Sequence, residues 1–361
     1  MKRIFKNSFP ICFLSKSSLL FLKKGEFQII DLTTGTFTKL VKFNTSFKEA
    51  ILTRIPILAR ILRKGIRCGV KVSENLVLFV IGQKIYELDL DSKVISEGYM
   101  TSDKSRPLVF SKIECIKGFD DGIYFGGYKV NPGKKPISIY KRIQKDDWVE
   151  VFQFPQGSIE HIHNIIADPY KNTVYILTGD FDHSAGIWMA QNGFELVVPL
   201  LIDDQKYRGC VGFPTPEGLV YATDSPFDQN SIRLLKNKGN DWESIHLMDI
   251  NGPSIYGCQW CNDFVFSTSV EDDGRNQDIW YKLFGKQRGI SIKENYSFIY
   301  KGNVDVGFKE IYKAKKDCLP FYLFQYGVLI FPSGTNNSLS LPVFHMATQK
   351  NTMHTILLQT K

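Results

Sequence analysis

Residues 160–200 read EHIHNIIADPYKNTVYILTGDFDHSAGIWMAQNGFELVVPL. Four apolar runs, EHIHNII, TVYILTGD, GIWMA and FELVVPL, are separated by ADPYKN, FDHSA and QNG. Runs rich in Val, Ile, Tyr and Phe and bounded by Asp, Pro, Asn and Gly are strands joined by turns. Connections this short leave only an antiparallel meander. The same order of strand, turn, strand, loop, strand, turn, strand recurs at 110–154, 208–248 and 254–300, with weaker copies at 11–43, 69–100 and 320–358. In the 254–300 copy the third strand is read as DIWYKLF and the fourth as ISIKENYSFIY. A repeat of this length and order is a propeller blade, whereas two stacked sandwiches give no reason for the shared order. The expectation is an all-β fold: a β-propeller of four-stranded antiparallel blades, seven of them, or six if the two ends combine into one. Because a blade buries its faces only against its neighbours, residues 1–361 are expected to form a single domain.

The bulk numbers agree. The chain of 361 residues is 43% hydrophobic and 13% aromatic, enough for a sizeable core and against wholesale disorder. Its net charge of +8 suits an anionic partner or a solvated surface. The aromatics fall at blade-core spacing and no basic-aromatic stripe appears, so nucleic acid is not an expected partner. Seven scattered cysteines suggest no disulfide framework. Cys258 and Cys261 have CxxC spacing, but on a strand this puts the thiols on opposite faces, and no second pair completes a zinc site. The N-terminal apolar run is interrupted by Pro10, Ser15 and Lys16, and no later stretch reaches membrane-spanning length. A soluble cytoplasmic protein is expected, peripheral to the membrane at most.

Labelling the strands of a blade A to D, the chain enters A from one rim, reverses at the A–B turn and returns to the first rim at the B–C loop. The start of A and the B–C loop therefore share a rim. His161 and His163 open strand A of the fourth blade, where residues two apart point the same way. Asp180, Asp182 and His183 lie at the end of its strand B and in the loop. Corresponding positions in neighbouring blades add Arg208, Asp224, Tyr256, Gln259 and Glu271. Gln325, in the stretch Phe324–Gly327, is read at an A–B turn of the last blade. Candidate catalytic groups are His161, His163, Asp180, Asp182, Asp224 and Glu271. Candidate substrate-binding groups are His183, Arg208, Tyr256, Gln259 and Gln325. The carboxylates at the ends of B strands have an alternative role, accepting the backbone N–H groups of the next turn. Asp168-Pro169-Tyr170 reads as a structural turn.

One segment breaks the pattern. Residues 44–67, NTSFKEAILTRIPILARILRKGIR, join the first blade to the second. Ser46 with Glu49 forms a capping box, and Ile51, Leu52, Ile55, Leu58, Ile61 and Leu62 recur at helical spacing. Pro56 splits or kinks this helix or begins a second one. Its Lys and Arg residues leave a basic amphipathic insertion over 46–66, either a lid over the blades or a docking element for an anionic membrane or a protein partner.

The stretches HIHNIIADPYKNTVYILTGDFDHSAGIW, GLVYATDSPFDQNSI, GPSIYGCQWCNDFVFSTSVE and FQYGVLIFP, with LARILRKGIRCGV and DDGIYFGGY, resemble a family of sialidase-like BNR/Asp-box propellers. The resemblance covers most of the chain. It implies a glycosyl hydrolase-like or carbohydrate-binding protein of the kind found with bacterial and archaeal surface-polysaccharide genes. The Asp-box turn survives only as remnants in IQKDDWVEV, AQNGFELV and NKGNDWESI, and no arginine triad is evident. Sialidase activity itself is therefore not expected.

Three functions follow. A carbohydrate-active enzyme would draw a carboxylate pair from Asp180, Asp182, Asp224 and Glu271, with His161 or His163 as acid or base. A metal-assisted lyase would use the His161-x-His163 pair as ligands, with Gln259 or His183 completing the site. A non-catalytic scaffold in polysaccharide assembly would bind a glycan or protein. No cofactor is expected on the first and third readings, and a divalent metal at His161 and His163 on the second.

Overall fold

The computed structural model describes residues 4–43, 55–63, 65–239, 241–272, 274, 276, 278–334, 336–349 and 353–359, the side chains of Pro56 and Asp182 excepted. The fold class is a seven-bladed β-propeller of antiparallel, mostly four-stranded blades. The chain divides into two compact units, residues 98–255 and residues 1–97 with 256–361.

The 98–255 unit holds blades three to five. Blade three is Ser111–Ile113, Gly122–Gly126, Ile137–Gln144 and Asp147–Phe154. Blade four is His161–Asp168, Thr173–Gly179, Gly186–Gln191 and Leu196–Ile202. Blade five is Gly209–Pro214, Leu219–Thr223, Ser231–Asn237 and Trp242–Asp249. Sequence explains the order of burial. Strand B of blade four, TVYILTG, is buried at every position, while strand D, LVVPLLI, keeps a partly wet face. A run apolar on both sides needs a neighbour on both sides. Ile139, Phe154, Ile162, Ile165 and Ile176 pack between blades three and four, and Tyr175, Leu177, Leu219 and Tyr221 between four and five. Gly126 sets one of these spacings, because a Cβ there would lie 2.2 Å from Cγ2 of Ile162. The turn at Asp168 is structural as expected, its Oδ1 accepting the N–H groups of Tyr170 (2.8 Å) and Lys171 (3.1 Å).

The other unit holds blades one, two, six and seven. Blade one is Ser8–Phe13, Ser18–Lys23, Glu26–Asp31 and Phe37–Lys42. Blade two is Ile66–Lys71, Leu76–Ile81 and Lys84–Asp89, with an antiparallel bridge from Leu88 to Ile95 along its outer edge. Blade seven is Val328–Ile330, Ser340–Met346 and His354–Gln359, completed by the N-terminal strand Ile4–Lys6. The two chain ends thus do share one sheet, and the count is seven because blade one begins only after Lys6.

Blade six departs from the sequence reading. Its strands are Tyr256–Trp260, Asp263–Ser267, Tyr296–Asn303 and Gly307–Lys315. The run expected as its third strand is instead a helix, Ile279–Phe284, inserted between strands B and C. Asp278 starts it, accepting the N–H groups of Trp280 and Tyr281 at 2.9 Å. An apolar run of six residues fits either period, so the N-cap carboxylate decided the outcome. The expected fourth strand is then partly the true third, and the blade runs on to Lys315.

The capping box Ser46/Glu49 lies outside the described residues. What is described of the insertion is a helix Pro56–Ile61 with proline in its first turn, so Pro56 begins a helix. In chain order the helices are α1 (Pro56–Ile61), α2 (Ile279–Phe284) and α3 (Phe321–Phe324). The Phe324–Gly327 stretch ends α3 and precedes strand A of blade seven, rather than forming its A–B turn. Arg60 ties α1 down: it is 2% exposed and donates through Nη1 to Asp317 Oδ2 (2.6 Å) and through Nε to the Phe324 carbonyl (2.7 Å). Asp317 also accepts from Lys316 Nζ (2.5 Å), and Gln325 Nε2 donates to the Arg60 carbonyl (2.7 Å). No described helix is long and apolar enough to cross a membrane.

Candidate functional site

The 98–255 unit gathers the first-named candidates. His161 pairs with Gly179 across blade four and Ile162 with Thr178, but the ladder then steps to Asn164 opposite Leu177 and leaves His163 in a bulge. A bulge re-aims one side chain at the end of a strand. Blade five repeats it, stepping from Gly209 to Val211 and leaving Cys210 in the equivalent place. The two bulges put His163 Nδ1 3.3 Å from Cys210 Sγ. Gly179 makes room for the His163 ring, since a Cβ there would meet its Cε1 at 2.2 Å.

Three polar side chains converge at the rim end. His161 Nε2 and His163 Nε2 are 3.1 Å apart, with Asp180 Oδ1 3.2 Å from His163 Nε2 and Asp180 Oδ2 3.3 Å from His161 Nε2. Arg208 Nη2 holds Asp180 Oδ1 at 2.8 Å and reaches Asp224 Oδ2 at 3.4 Å. Arg208 Nη1 (3.2 Å) and Gln205 Nε2 (3.0 Å) both donate to the Asp180 carbonyl. Asp224 Oδ2 also accepts from Cys210 Sγ at 3.2 Å. The carboxylates at these two B-strand ends therefore serve side chains.

Charge separates the two acids. Burial pushes the Asp180 carboxyl up, but the Arg208 guanidinium and the hydrogen bonds from His161 and His163 outweigh it and hold the group well below the usual carboxylate range. Burial raises Asp224, and there Arg208 and His163 do not fully compensate. Burial also drives the Cys210 thiol well up, reinforced by Asp224, so it stays a neutral thiol. Burial and the Asp180 charge raise the Tyr128 phenol, whose ring centroid lies 4.4 Å from that of His161.

Proton counting brings out the unusual feature. Gly209 O can only accept, and it lies 2.9 Å from His163 Nδ1, so that nitrogen carries the proton and a neutral ring presents a bare Nε2. That lone pair faces the His161 Nε2 and an Asp180 oxygen. With both imidazoles neutral, at most one proton, on His161 Nε2, serves the two nitrogens and the two carboxylate oxygens. The arrangement calls for one further positive charge at its centre, either a second proton or a metal ion. The separations of 3.1–3.3 Å are those of adjacent ligands around an ion bound at about 2.0–2.2 Å. A hydrogen-bonded second nitrogen, here His163 Nδ1, is what a metal-binding imidazole needs. A neighbouring set, His163, Cys210 and Asp224, is equally close-knit. There His163 Nδ1 is already committed to Gly209, and the thiol is neutral, so that set does not suit a cation.

The other candidates are placed differently. His183 is 77% exposed at its side chain and pairs with Asp203 Oδ1 (2.7 Å), not with the cluster. Asp182 opens a short 3-10 turn, Asp182–Ser184, and its side chain lies outside the described residues. Tyr256, Gln259, Glu271 and Gln325 belong to the other unit. Tyr256 opens strand A of blade six opposite Ser267, and Glu271 is buried just past strand B. Gln259 pairs with Phe264 beside the A–B turn, so it sits at the far end of the strand from Tyr256 and not at the rim where the reading put it. Gln325 holds the Arg60 carbonyl. Sequence reasoning missed Cys210, Tyr128, Phe181, Phe227 and Arg106. Arg106 lies 5.0 Å over the Tyr128 ring, Arg208 5.2 Å over Phe181, and Phe181 5.4 Å from Phe227. The available signal was positional, because Tyr128 and Phe181 follow the ends of B strands, as Asp180 does.

Comparison with known proteins returns the architecture. No protein-family model and no curated protein sequence matches the chain. Among solved structures, the β-propeller domain of Cps50 (Swd1) from Myceliophteria thermophila is similar over 100% of both chains with a TM-score of 0.55 and 8% identity. A chain of the mitotic checkpoint complex aligns over 99% of this chain and 93% of its own, with a TM-score of 0.54 and 6% identity. The oligogalacturonate lyase of Vibrio parahaemolyticus aligns over 92% of this chain and 88% of its own, with a TM-score of 0.52 and 12% identity. At such identities the likeness is one of fold.

Proposed function

We propose that this propeller is a carbohydrate-active protein whose reaction centre is the His161–His163–Asp180 cluster holding a divalent cation, and that its chemistry is lyase-type proton abstraction rather than hydrolysis. The observation that carries this reading is the meeting of two imidazole nitrogens with both oxygens of one carboxylate, each nitrogen 3.1–3.3 Å from the other and from one of the oxygens, with too few protons to bridge them. A bound ion would polarise a carboxylate or hydroxyl oxygen of the sugar as a Lewis acid. The chain's own groups do the rest. Arg208 keeps Asp180 ionised and oriented. Tyr128 keeps its phenolic proton and is a donor for a sugar oxygen. Phe181 and Phe227, each only partly buried, offer faces on which a sugar ring can stack. That one fold neighbour is a lyase of an acidic oligosaccharide agrees with this choice.

Hydrolysis requires two carboxyl groups presented to the glycosidic bond. Asp180 meets the requirement of an ionised partner, but Asp224, the acid with a raised affinity for its proton, is 4% exposed and capped by Cys210. The lyase reading needs no such pair but one base to take the proton, and Glu160, whose carboxyl is raised by burial and by the nearby Asp180 charge, is the group beside the cluster that can accept it. The test is calorimetric titration of chelator-treated protein with Mn2+, Zn2+ and Ca2+, followed by incubation with uronic-acid oligosaccharides. The expected result is one ion per chain, binding lost in H163A and D180N, and a product with the ultraviolet absorbance of an unsaturated sugar. Absence of ion binding overturns the cation assignment. Release of saturated reducing ends overturns the lyase assignment, and glycan binding without turnover makes the protein a scaffold.

A further inference from the structure

We propose that α1, α2 and α3 form a docking face for an anionic lipid surface, a role independent of the reaction centre and lying wholly within the unit of residues 1–97 and 256–361. The three helices are joined in series through α3, which touches both α1 and α2. Tyr322 on α3 makes the junction. Arg63, just past α1, lies 5.8 Å over its ring and donates through Nη2 to its carbonyl (3.0 Å), while Lys282 of α2 approaches the same ring at 5.9 Å. The buried Arg60–Asp317–Lys316 cluster beneath fixes α1 to the strand leading into α3, so the face is held by built contacts.

What this face leaves in solvent is unusual. Trp280 is 67% exposed, Phe284 65%, Tyr322 54% and Ile57 43%, with Ile61 and Leu62 also exposed beside Ile57. Trp280 and Phe284 stack on one another, centroids 6.3 Å apart, and so present one apolar prong. Large exposed apolar groups concentrated in one place mark an interaction site. The charge around them selects the partner. Between residues 278 and 293 stand Lys282, Lys286, Arg288 and Lys293 against a single acid, Asp278, which is occupied at the N-terminus of α2. Arg63 adds a further cation from α1, and Asp317 is already paired with Arg60 and Lys316. Tryptophan and tyrosine exposed beside lysine and arginine on short helices suit the depth and charge of an anionic headgroup layer.

The experiment is co-sedimentation of the full chain with vesicles of phosphatidylcholine alone and of phosphatidylcholine and phosphatidylglycerol in equal parts, at low and at physiological salt. Binding to the anionic vesicles, weakened by salt and absent from the neutral ones, is expected. Each cation at an anionic surface is worth roughly fivefold in affinity, so R63E/K282E is expected to lower it by at least about twentyfold. W280S/F284S should abolish sedimentation, and since both side chains are exposed its thermal unfolding should match the wild type. Failure to sediment with anionic vesicles, equal sedimentation with neutral ones, or undiminished binding of both variants would overturn the proposal.

Discussion

Gly179 offers the sharpest test of how the proposed reaction centre is held. Its backbone is not in the left-handed region, so alanine is conformationally allowed and only space is at issue. A methyl group there would stand 2.2 Å from His163 Cε1 and 2.5 Å from Nε2. The ring has no slack, because Nδ1 is bonded to the Gly209 carbonyl and Cys210 Sγ lies 3.3 Å from it. Relief must come from moving the imidazole off the His161–Asp180 axis or from shifting the end of strand B. Overpacking of this kind costs about 1–3 kcal/mol, which for a chain this long is a drop of a few degrees in Tm. Because the displaced atom is a proposed ligand, affinity for the divalent cation should fall by about tenfold or more. Calorimetric titration beside differential scanning calorimetry measures both, with G133A as control, since a Cβ at Gly133 meets nothing within 4 Å. If G179A melts and binds like the wild type, His163 is not clamped as described, and the argument from donor-atom spacing fails with it.

Other expectations concern stability and titration. Arg60→Met should cost about 3 kcal/mol by leaving Asp317 half-paired in a buried setting, and limited proteolysis should then cut near α1. Burial raises the Asp103 carboxyl, but hydrogen bonds from Lys129 and Ser105 outweigh it and bring the group down to about 2. A depressed carboxylate stabilises the fold above its unfolded value and loses that contribution as pH falls. Denaturant unfolding should therefore show about 2 kcal/mol of stability disappearing between roughly pH 4 and pH 2, a slope that D103N removes. Iodoacetamide at neutral pH should label the exposed Cys115, Cys261 and Cys318 of the native chain and spare Cys12, Cys210 and Cys258 until denaturant is added, because burial raises all three protected thiols. Rapid labelling of Cys210 in the native state would contradict its burial beside Asp224.

Blade four was legible nearly residue by residue, because its strands alternate with turn formers that have no other use. Blade six was not. DIWYKLF satisfies helix and strand alike, and only the capping role of Asp278 and the later pairing of Tyr296–Asn303 with Asp263–Ser267 separate the two. Gln259 and Gln325 were misplaced for a related reason: a shift of a few residues along an antiparallel meander carries a side chain from one rim to the other.

The linear chain determined the repeat, and through it that His161, His163 and Asp180 share a rim, since strand direction in a meander follows from connection length alone. Tertiary structure decided everything finer than that. The paired bulges at His163 and Cys210, the clearance above Gly179 and the reach of Arg208 to two acids from neighbouring blades depend on how one sheet packs against the next. That packing places atoms to within a fraction of an ångström, a precision that a pattern of apolar and polar letters does not carry.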